Sequence, residues 1–545
     1  MPVKSDLPDV HVVDRPVHES FLDACIKHGA DVAMIDGVTK QKYTFHDVSR
    51  MTRASALAFH RRGIKKGDVV CISLPNCVEY FPMMLGANII GAVPACLNPV
   101  YQKHELSHYL KDNGSKLVLT FAGQLDVFVD LCEQEFSNQV KGIVVVGPYD
   151  AAKYRGRRVN LIKATEIIDI EPNDSELPNV KIYTKTDVCY MPYSSGTTGL
   201  PKGVLVPHYM LQSNYARALN RAFFLFPTKG DTNLAILPFF HIYGYIMSVF
   251  CMMDGVTQIV VPKFEPQAFL QFIQDYKIRM LYIVPPMMVF LAKHPIVSKY
   301  DLSSVESVFV GAAPVGKDLT MEFVKRHKNV KFVVQGYGMT EHGVSHLMPP
   351  IAVDKAKHGS VGILVSNTEL KLLDPESGKE VEGANKIGEF LVRTAGMMLG
   401  YLNNPAKTAE TIDNEGWLHT GDIGYYDEDG FYYIVDRLKE LIKVKGFQVA
   451  PAELEDLLLQ HDSVQDAAVI GVPDDYAGET PIAFIVKKPG ASVPASDIID
   501  FVAGHVAHFK RLSAVRFVNE IPKSPSGKIL RRILRDQMAT KKSQL

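Results

Sequence analysis

The chain has 545 residues, 47% of them hydrophobic and 22% charged, with a formal net charge of -1. That length exceeds one hydrophobic core, so two or more domains are expected, and the composition excludes a largely disordered chain. The neutral balance excludes a chain-wide basic footprint for nucleic acid, while a local phosphate site stays open.

The N-terminal stretch carries Lys4, Asp6, Asp9, Asp14 and Arg15 before any long apolar run, which is not a secretory signal. Phe45–Arg61 has the spacing of an amphipathic helix, and Val69–Leu74 reads as a buried strand. Tyr80–Val100 is uncharged and long enough to consider as a membrane span, but Pro82, Asn88, Gly91 and Pro94 would break its backbone in hydrocarbon. A buried helix-plus-strand segment is predicted instead, and so for Leu234–Met253, which contains Pro238, His241 and Gly244. Leu117–Thr120, Gly142–Val146 and Gln258–Val261 read as further buried strands, and Pro266–Tyr276 as a helix. This alternation predicts a mostly parallel α/β architecture. Seven cysteines fall between Cys25 and Cys251 without a CxxC pair, a pattern that fits a reducing compartment and argues against a disulfide framework or structural zinc.

After about Asp436 the character changes. Lys439, Lys443 and Lys445 follow closely, then a helix opening at Pro451–Ala452 and a strand at Asp466–Val472. A boundary near Arg437–Lys439 divides the chain into a large N-terminal domain, residues 1–436, and a small α+β domain, residues 437–545.

Tyr193 to Gly203 read YSSGTTGLPKG. Such a run cannot pack a core, but it can wrap a polyphosphate: glycines let backbone N–H groups approach, hydroxyls donate hydrogen bonds and Lys202 adds charge. The Walker spacing GxxxxGK[ST] is absent. Other motifs follow in order: Tyr337-Gly338-Met339-Thr340-Glu341, Thr420-Gly421-Asp422, Asp436-Arg437-Leu438-Lys439, Lys445-Gly446-Phe447-Gln448-Val449 and Pro522-Lys523-Ser524-Pro525-Ser526-Gly527-Lys528.

The ordered set resembles the adenylate-forming enzymes, which include acyl-CoA synthetases, 4-coumarate–CoA ligases, beetle luciferases and peptide-synthetase adenylation domains. The resemblance implies a multi-subdomain N-terminal domain and a C-terminal domain that is mobile about a hinge near Lys439. It implies an acid–CoA ligase: Mg-ATP activates a carboxylic acid as acyl-AMP, and coenzyme A then takes the acyl group. Two anions must meet in the first step, so the site needs cations and fixed donors more than a strong base. By resemblance, Ser194, Ser195, Gly196, Thr197, Thr198 and Lys202 hold the β- and γ-phosphates, Thr340 lies near the α-phosphate and Glu341 ligates Mg2+. Asp422 and Arg437 would take the ribose, with Gln335, Gly336 and Tyr337 bordering the adenine.

Lys528 is expected to stabilise the transition state at the α-phosphate. His241 sits on an uncharged apolar stretch, where a histidine is often structural; by resemblance it positions the carboxylate. In the second step Lys443 and Gln448 approach the adenylate with Lys439, and Lys445 and Gly446 border the CoA channel. The acyl pocket is expected at Tyr243, Met247, Gly311, Ala312, Ala313, Gly336, Gly338, Val344 and Ser345, with the small residues leaving room for a flat ring or an extended chain. His342-Gly343-Val344-Ser345 departs from the Ala-Gly-Pro-Val of plant ligases, so an aryl acid and a medium- or long-chain fatty acid both remain open.

The alternatives are a luciferase-like adenylating oxygenase and a nucleotide-binding regulatory protein without turnover. An amino-acid adenylation domain is disfavoured, because no acidic residue lies between His241 and Met253 to hold an α-ammonium. The partners expected are small molecules, with no nucleic acid and no transmembrane segment. The terminal Ser543-Gln544-Leu545 is one residue from the Ser-Lys-Leu address, so a peroxisomal import receptor is a further expected partner, with a cytoplasmic location as the alternative.

Overall fold

The computed structural model describes residues 2–194, 201–218, 220, 225–347, 357–445, 447–474, 477–524 and 527–542. An eight-stranded sheet runs through Gly400–Tyr401, Lys202–Pro207, Val188–Ser194, Val93–Cys96, Val69–Ser73, Leu117–Phe121, Ile143–Val146 and Leu161–Lys163. From Val188–Ser194 to Leu161–Lys163 the neighbours are parallel, and the other two strands join antiparallel. Parallel strands covered on both faces must be apolar throughout, which is why runs such as VVCIS read as strands. The helix Phe45–Arg61 keeps the predicted bounds. Thr44 accepts from Asp47 N–H and the Asp47 carboxylate accepts from Thr44 N–H, a reciprocal cap of the kind that stabilises a helix by about 1 kcal/mol.

Tyr80–Val100 resolves into the helix Tyr80–Ile89 and the strand Val93–Cys96. The other uncharged stretch takes the reverse order, strand Thr232–Ala235 and then helix Ile242–Met253. Among the described residues no helix is long and apolar enough to cross a membrane. Thr232–Ala235 belongs to a four-stranded sheet, and a five-stranded sheet runs through Met280–Ile283, Ser307–Val310, Phe332–Met339, Gly343–Leu347 and Ile363–Leu364.

The next sheet is antiparallel throughout. Thr368–Leu373, Gly388–Thr394, Leu418–Tyr426 and Tyr432–Arg437 form an antiparallel sheet edged by Val3–Lys4. Thr368–Leu373 alternates buried and half-buried positions, the pattern of a sheet with one face on a core, and such a strand lacks the continuous apolar run that parallel strands display.

The Tyr432–Arg437 strand leads through a short turn at Leu438–Glu440 to the last sheet, built from Phe447–Val449, Ile442–Val444, Gly478–Lys487, Val464–Asp474 and Ala514–Phe517. Helices Pro451–Leu459, Ala495–Ala503 and Arg531–Lys542 accompany it. Arg531 Nη2 donates to both oxygens of Glu455 at 2.8 and 2.7 Å, and Arg535 pairs with Glu440 beside the turn at 2.5 Å. All seven cysteines are unpaired. Burial pushes the Cys25, Cys96 and Cys132 thiols up to about 12 and raises those of Cys71, Cys77, Cys189 and Cys251 as well.

Candidate functional site

The Tyr337, Asp422 and Arg437 side chains meet where the antiparallel sheet faces the Phe332–Met339 strand. Asp422 and Arg437 are register partners on adjacent strands, and Arg437 Nε stands 3.3 Å from Asp422 Oδ1. Tyr337 donates its O–H to Asp422 Oδ2 at 2.6 Å. The turn before Asp422 is fixed separately: Gly421 N–H donates to Glu389 Oε1, Asp422 N–H donates to Thr420 Oγ1, and Thr420 Oγ1 donates to Phe390 O. Asp422 is thereby held buried with its carboxylate oriented, and its remaining lone pairs suit a vicinal diol.

The side expected to take the phosphates is built by Val188–Ser194 and Lys202–Pro207, whose ends pair as Ser194 with Lys202. Ser195, Gly196, Thr197 and Thr198, expected on the phosphates, lie outside the described residues, as do Gly446 and Ser543-Gln544-Leu545. Tyr193 O–H donates to Asp112 Oδ2 at 2.9 Å and anchors the start of the loop. Thr340 precedes Glu341 in the short turn between Phe332–Met339 and Gly343–Leu347. Glu341 is buried, its Oε1 accepts from Tyr401 O–H at 2.9 Å, and its carbonyl accepts from Met398 N–H.

On the side expected to take the acid, His241 caps the Ile242–Met253 helix, with Nδ1 accepting from Tyr243 N–H at 3.3 Å. That bond assigns the ring proton to Nε2. Burial, reinforced by Lys528, pulls the imidazole down to about 3, so the ring is neutral at physiological pH. Tyr243 O–H reaches the carbonyls of Phe309 and Ile283 at 3.2 and 3.4 Å.

Lys528 comes to this group from the C-terminal unit. Its neighbour Gly527 packs against the large domain: a Cβ there would lie 3.1 Å from Pro286 Cδ. The Lys528 ammonium is pulled down to about 8 by burial and then by Arg437, against the opposing pull of Asp422 and Glu341. Lys439 also acts on it electrostatically. Residues far apart in the chain thus converge as an ammonium, a guanidinium, two carboxylates and a neutral imidazole.

The AMP-binding enzyme family matches residues 21–402, and its C-terminal domain matches residues 453–528. The chain belongs to the AMP-binding enzyme family. This AMP-binding enzyme is 39% identical to a 4-coumarate–CoA ligase of Pinus taeda, over 99% of this chain and 98% of the relative. It is 40% identical to 4-coumarate–CoA ligase 1 of Petroselinum crispum, over 98% of this chain and 97% of the relative. Among solved structures it resembles an anthranilate CoA ligase in complex with anthranoyl-AMP, with a TM-score of 0.85 and 26% identity over 99% of both chains.

Several site residues of this AMP-binding enzyme do other work than the sequence suggests. Gln335 spends both ends of its amide on the Val315 backbone, accepting at 3.0 Å and donating at 3.2 Å, so its side chain braces the turn after Val310. The small residues also leave less open room than expected. A Cβ on Gly338 would meet Gly343 O at 2.1 Å, one on Gly336 would meet Phe309 Cζ at 2.8 Å, and one on Gly311 would meet the Tyr243 ring at 3.1 Å. These glycines admit protein atoms, and the Gly311 position seats the tyrosine as a wall. Ala312 holds a φ of 73°, a left-handed conformation that costs a residue with a Cβ about 1 kcal/mol. Ser345 is fully buried with Oγ 2.9 Å from His346 Nδ1, whereas Val344 is half-buried, and Met247 is buried in the core.

The hairpin expected to act in CoA transfer is not brought to Lys528. Lys443 and Gln448 are register partners with exposed side chains, and Gln448 Nε2 donates to Glu376 Oε1 at 3.3 Å. Lys445 holds a φ of 50° and donates its N–H to Ala477 O. Among the described residues no cluster of three or more His, Cys, Asp or Glu could cage a metal ion. Glu341 is therefore a single carboxylate, the donor set that suits Mg2+ arriving with phosphate and water oxygens. Tyr401, Asp112 and Glu389 escaped the sequence reading, since a lone tyrosine or acid outside a motif carries no signal.

Proposed function

We propose that this enzyme is an AMP-forming acid–CoA ligase acting on an aromatic carboxylic acid of the hydroxycinnamate kind. The observation that carries the reading is the Asp422 carboxylate held between the Tyr337 phenol and the Arg437 guanidinium, with Lys528 within electrostatic reach of Arg437, Asp422, Glu341 and His241. The ligase activity is supported by full-length relatives that are 4-coumarate–CoA ligases, and the aryl class by those relatives and by the anthranilate CoA ligase.

In the first step a carboxylate oxygen bonds to the α-phosphorus of Mg·ATP, and the bond from that phosphorus to the pyrophosphate oxygen breaks. No base is needed, because the acid is already ionised. Lys528 meets the charge that builds on the equatorial oxygens, Lys202 meets the charge leaving with pyrophosphate, and Asp422 holds the ribose; Glu341 would hold the metal of Mg·ATP, which when bound would supply further positive charge there. The Nε2–H of His241 donates to the acid and fixes its plane. In the second step the CoA sulfur bonds to the acyl carbon, the bond from that carbon to AMP breaks, and the thiol proton leaves to solvent. Lys443, Gln448 and Lys445 serve this step after the C-terminal unit turns about Lys439.

The test is AMP release with Mg·ATP across 4-coumarate, anthranilate and medium- and long-chain fatty acids, with and without CoA. Thioester formation with aryl acids supports the reading. Turnover confined to fatty acids overturns the aryl class, and AMP release indifferent to CoA overturns the ligase. Lys528→Ala is expected to abolish adenylation and spare transfer from supplied acyl-adenylate; equal loss in both steps contradicts the division of labour.

A further inference from the structure

Tyr401 stands where two charged groups of the site meet. Its O–H donates to Glu341 Oε1 at 2.9 Å, and Lys202 Nζ lies 5.5 Å from the centre of its ring. The side chain is 9% exposed, and the backbone that carries it is fixed on three sides. The strand Gly400–Tyr401 pairs with Lys202–Pro207, with Tyr401 opposite Val204. Tyr401 N–H donates to Thr408 Oγ1 at 2.9 Å, and Leu402 N–H donates to Gly203 O at 2.8 Å. Three residues earlier, Met398 N–H donates to Glu341 O at 2.8 Å. The 398–402 segment therefore grips Glu341 by backbone and side chain while it pairs with the strand that Lys202 opens.

A glutamate carboxyl turns in a broad, two-fold torsion, so its plane is set by what its oxygens bind. The phenol commits Oε1, and among the described residues Oε2 is the oxygen without a side-chain donor. A hydrogen bond to an ionised oxygen is stronger than a neutral one, and groups that orient a metal's ligand commonly change metal affinity by about 10–100-fold when removed. Mg2+ is the ion most demanding of that orientation, because it accepts only near-octahedral geometry.

We propose that Tyr401 is a positioning residue that turns Glu341 Oε2 toward the metal of Mg·ATP and, through its ring, keeps Lys202 in register with that carboxylate. The proposal rests on the reading of Glu341 as the metal ligand given above. Tyr401→Phe isolates the first role, since it keeps the ring under Lys202 and deletes only the donor; Tyr401→Leu removes both.

The experiment is Mn2+ binding to the full-length enzyme with ATP, read by electron paramagnetic resonance. It is paired with the Mg2+ dependence of adenylation and with CoA transfer from supplied acyl-adenylate. Tyr401→Phe is expected to weaken Mn2+ in the ternary complex about tenfold and to raise the half-saturating Mg2+ to match, with transfer unchanged. Tyr401→Leu is expected to weaken ATP as well. Wild-type Mn2+ affinity in Tyr401→Phe, with Glu341→Gln impaired, overturns the role of Tyr401 alone. Undiminished Mn2+ affinity in Glu341→Gln overturns the ligand reading beneath it. Loss of the buried environment of Trp417, followed by fluorescence in the same samples, marks a merely structural effect and counts against the proposal.

Discussion

Tyr337 and Asp422 are joined by a 2.6 Å hydrogen bond from phenol to carboxylate, which ties the strand bearing the Gly-Tyr-Gly segment to the antiparallel sheet. With Arg437 on the other oxygen, the carboxylate is aimed before a nucleotide arrives. Removing the phenol in Tyr337→Phe deletes one hydrogen bond to a charged group, worth about 1.5–3 kcal/mol. ATP affinity, measured by calorimetry, is expected to fall roughly tenfold or more, since about 1.4 kcal/mol corresponds to a factor of ten. An unchanged affinity would mean that Asp422 is aimed by Arg437 and its own turn alone.

The Lys528 ammonium, pulled down to about 8 by burial and by Arg437, gives a pH dependence with a definite sign. The lysine is charged below that pH and neutral above it. Because kcat/KM reports the free enzyme, adenylation is expected to lose kcat/KM as pH rises through about 8. A guanidinium stays charged throughout this range, so whatever activity Lys528→Arg retains should lack that limb. The same limb in Lys528→Arg would assign it to another group.

His241 supplies the complementary expectation. Its imidazole is held down to about 3, so no acid limb near the ordinary histidine value should appear in the pH profile of adenylation. Its position depends on the turn behind it, where a Cβ on Gly244 would meet Pro238 O at 2.2 Å. Gly244→Ala should therefore displace the helix start and raise KM for the acid more than KM for ATP, checked by varying each substrate separately.

Parts of this arrangement were legible in the chain. Phe45–Arg61 reads as a helix because its buried face repeats within the segment and its cap, Thr44, adjoins it, and VVCIS reads as a strand because a parallel strand is apolar on both sides. The motif residues Asp422, Arg437 and Lys528 could be named, but what gathers them is long-range. Gln335 is consumed by Val315, Gly338 yields to the Gly343 carbonyl, and Glu341 is held by a tyrosine at 401. No local pattern encodes such pairings. The antiparallel sheet of residues 368–437 went unread for a related reason, since its half-exposed strands lack the continuous apolar runs that announce parallel ones.

The Arg531–Glu455 pair is largely enclosed, with side-chain exposures of 13% and 11%. Breaking such a pair strands a buried charge, and Arg531→Met is expected to destabilise the C-terminal unit by about 3–5 kcal/mol. Urea unfolding should show that unit melting first. The lone tryptophan, Trp417, is 1% exposed under the guanidinium of Arg393 in the antiparallel sheet, so its fluorescence should stay native through the early transition. A single coincident transition would show that the two units unfold together.

The burial of the cysteines bears on chemical fidelity. An acyl-adenylate is an electrophile that any nearby thiolate would capture, and its intended acceptor is itself a thiol. With each of its cysteine thiols pushed well above the ordinary value by burial, the protein's own thiols compete poorly for the activated acyl group. Self-acylation at sulfur is thereby suppressed by the same packing that builds the core, and the intermediate is kept for the thiol that arrives from solution.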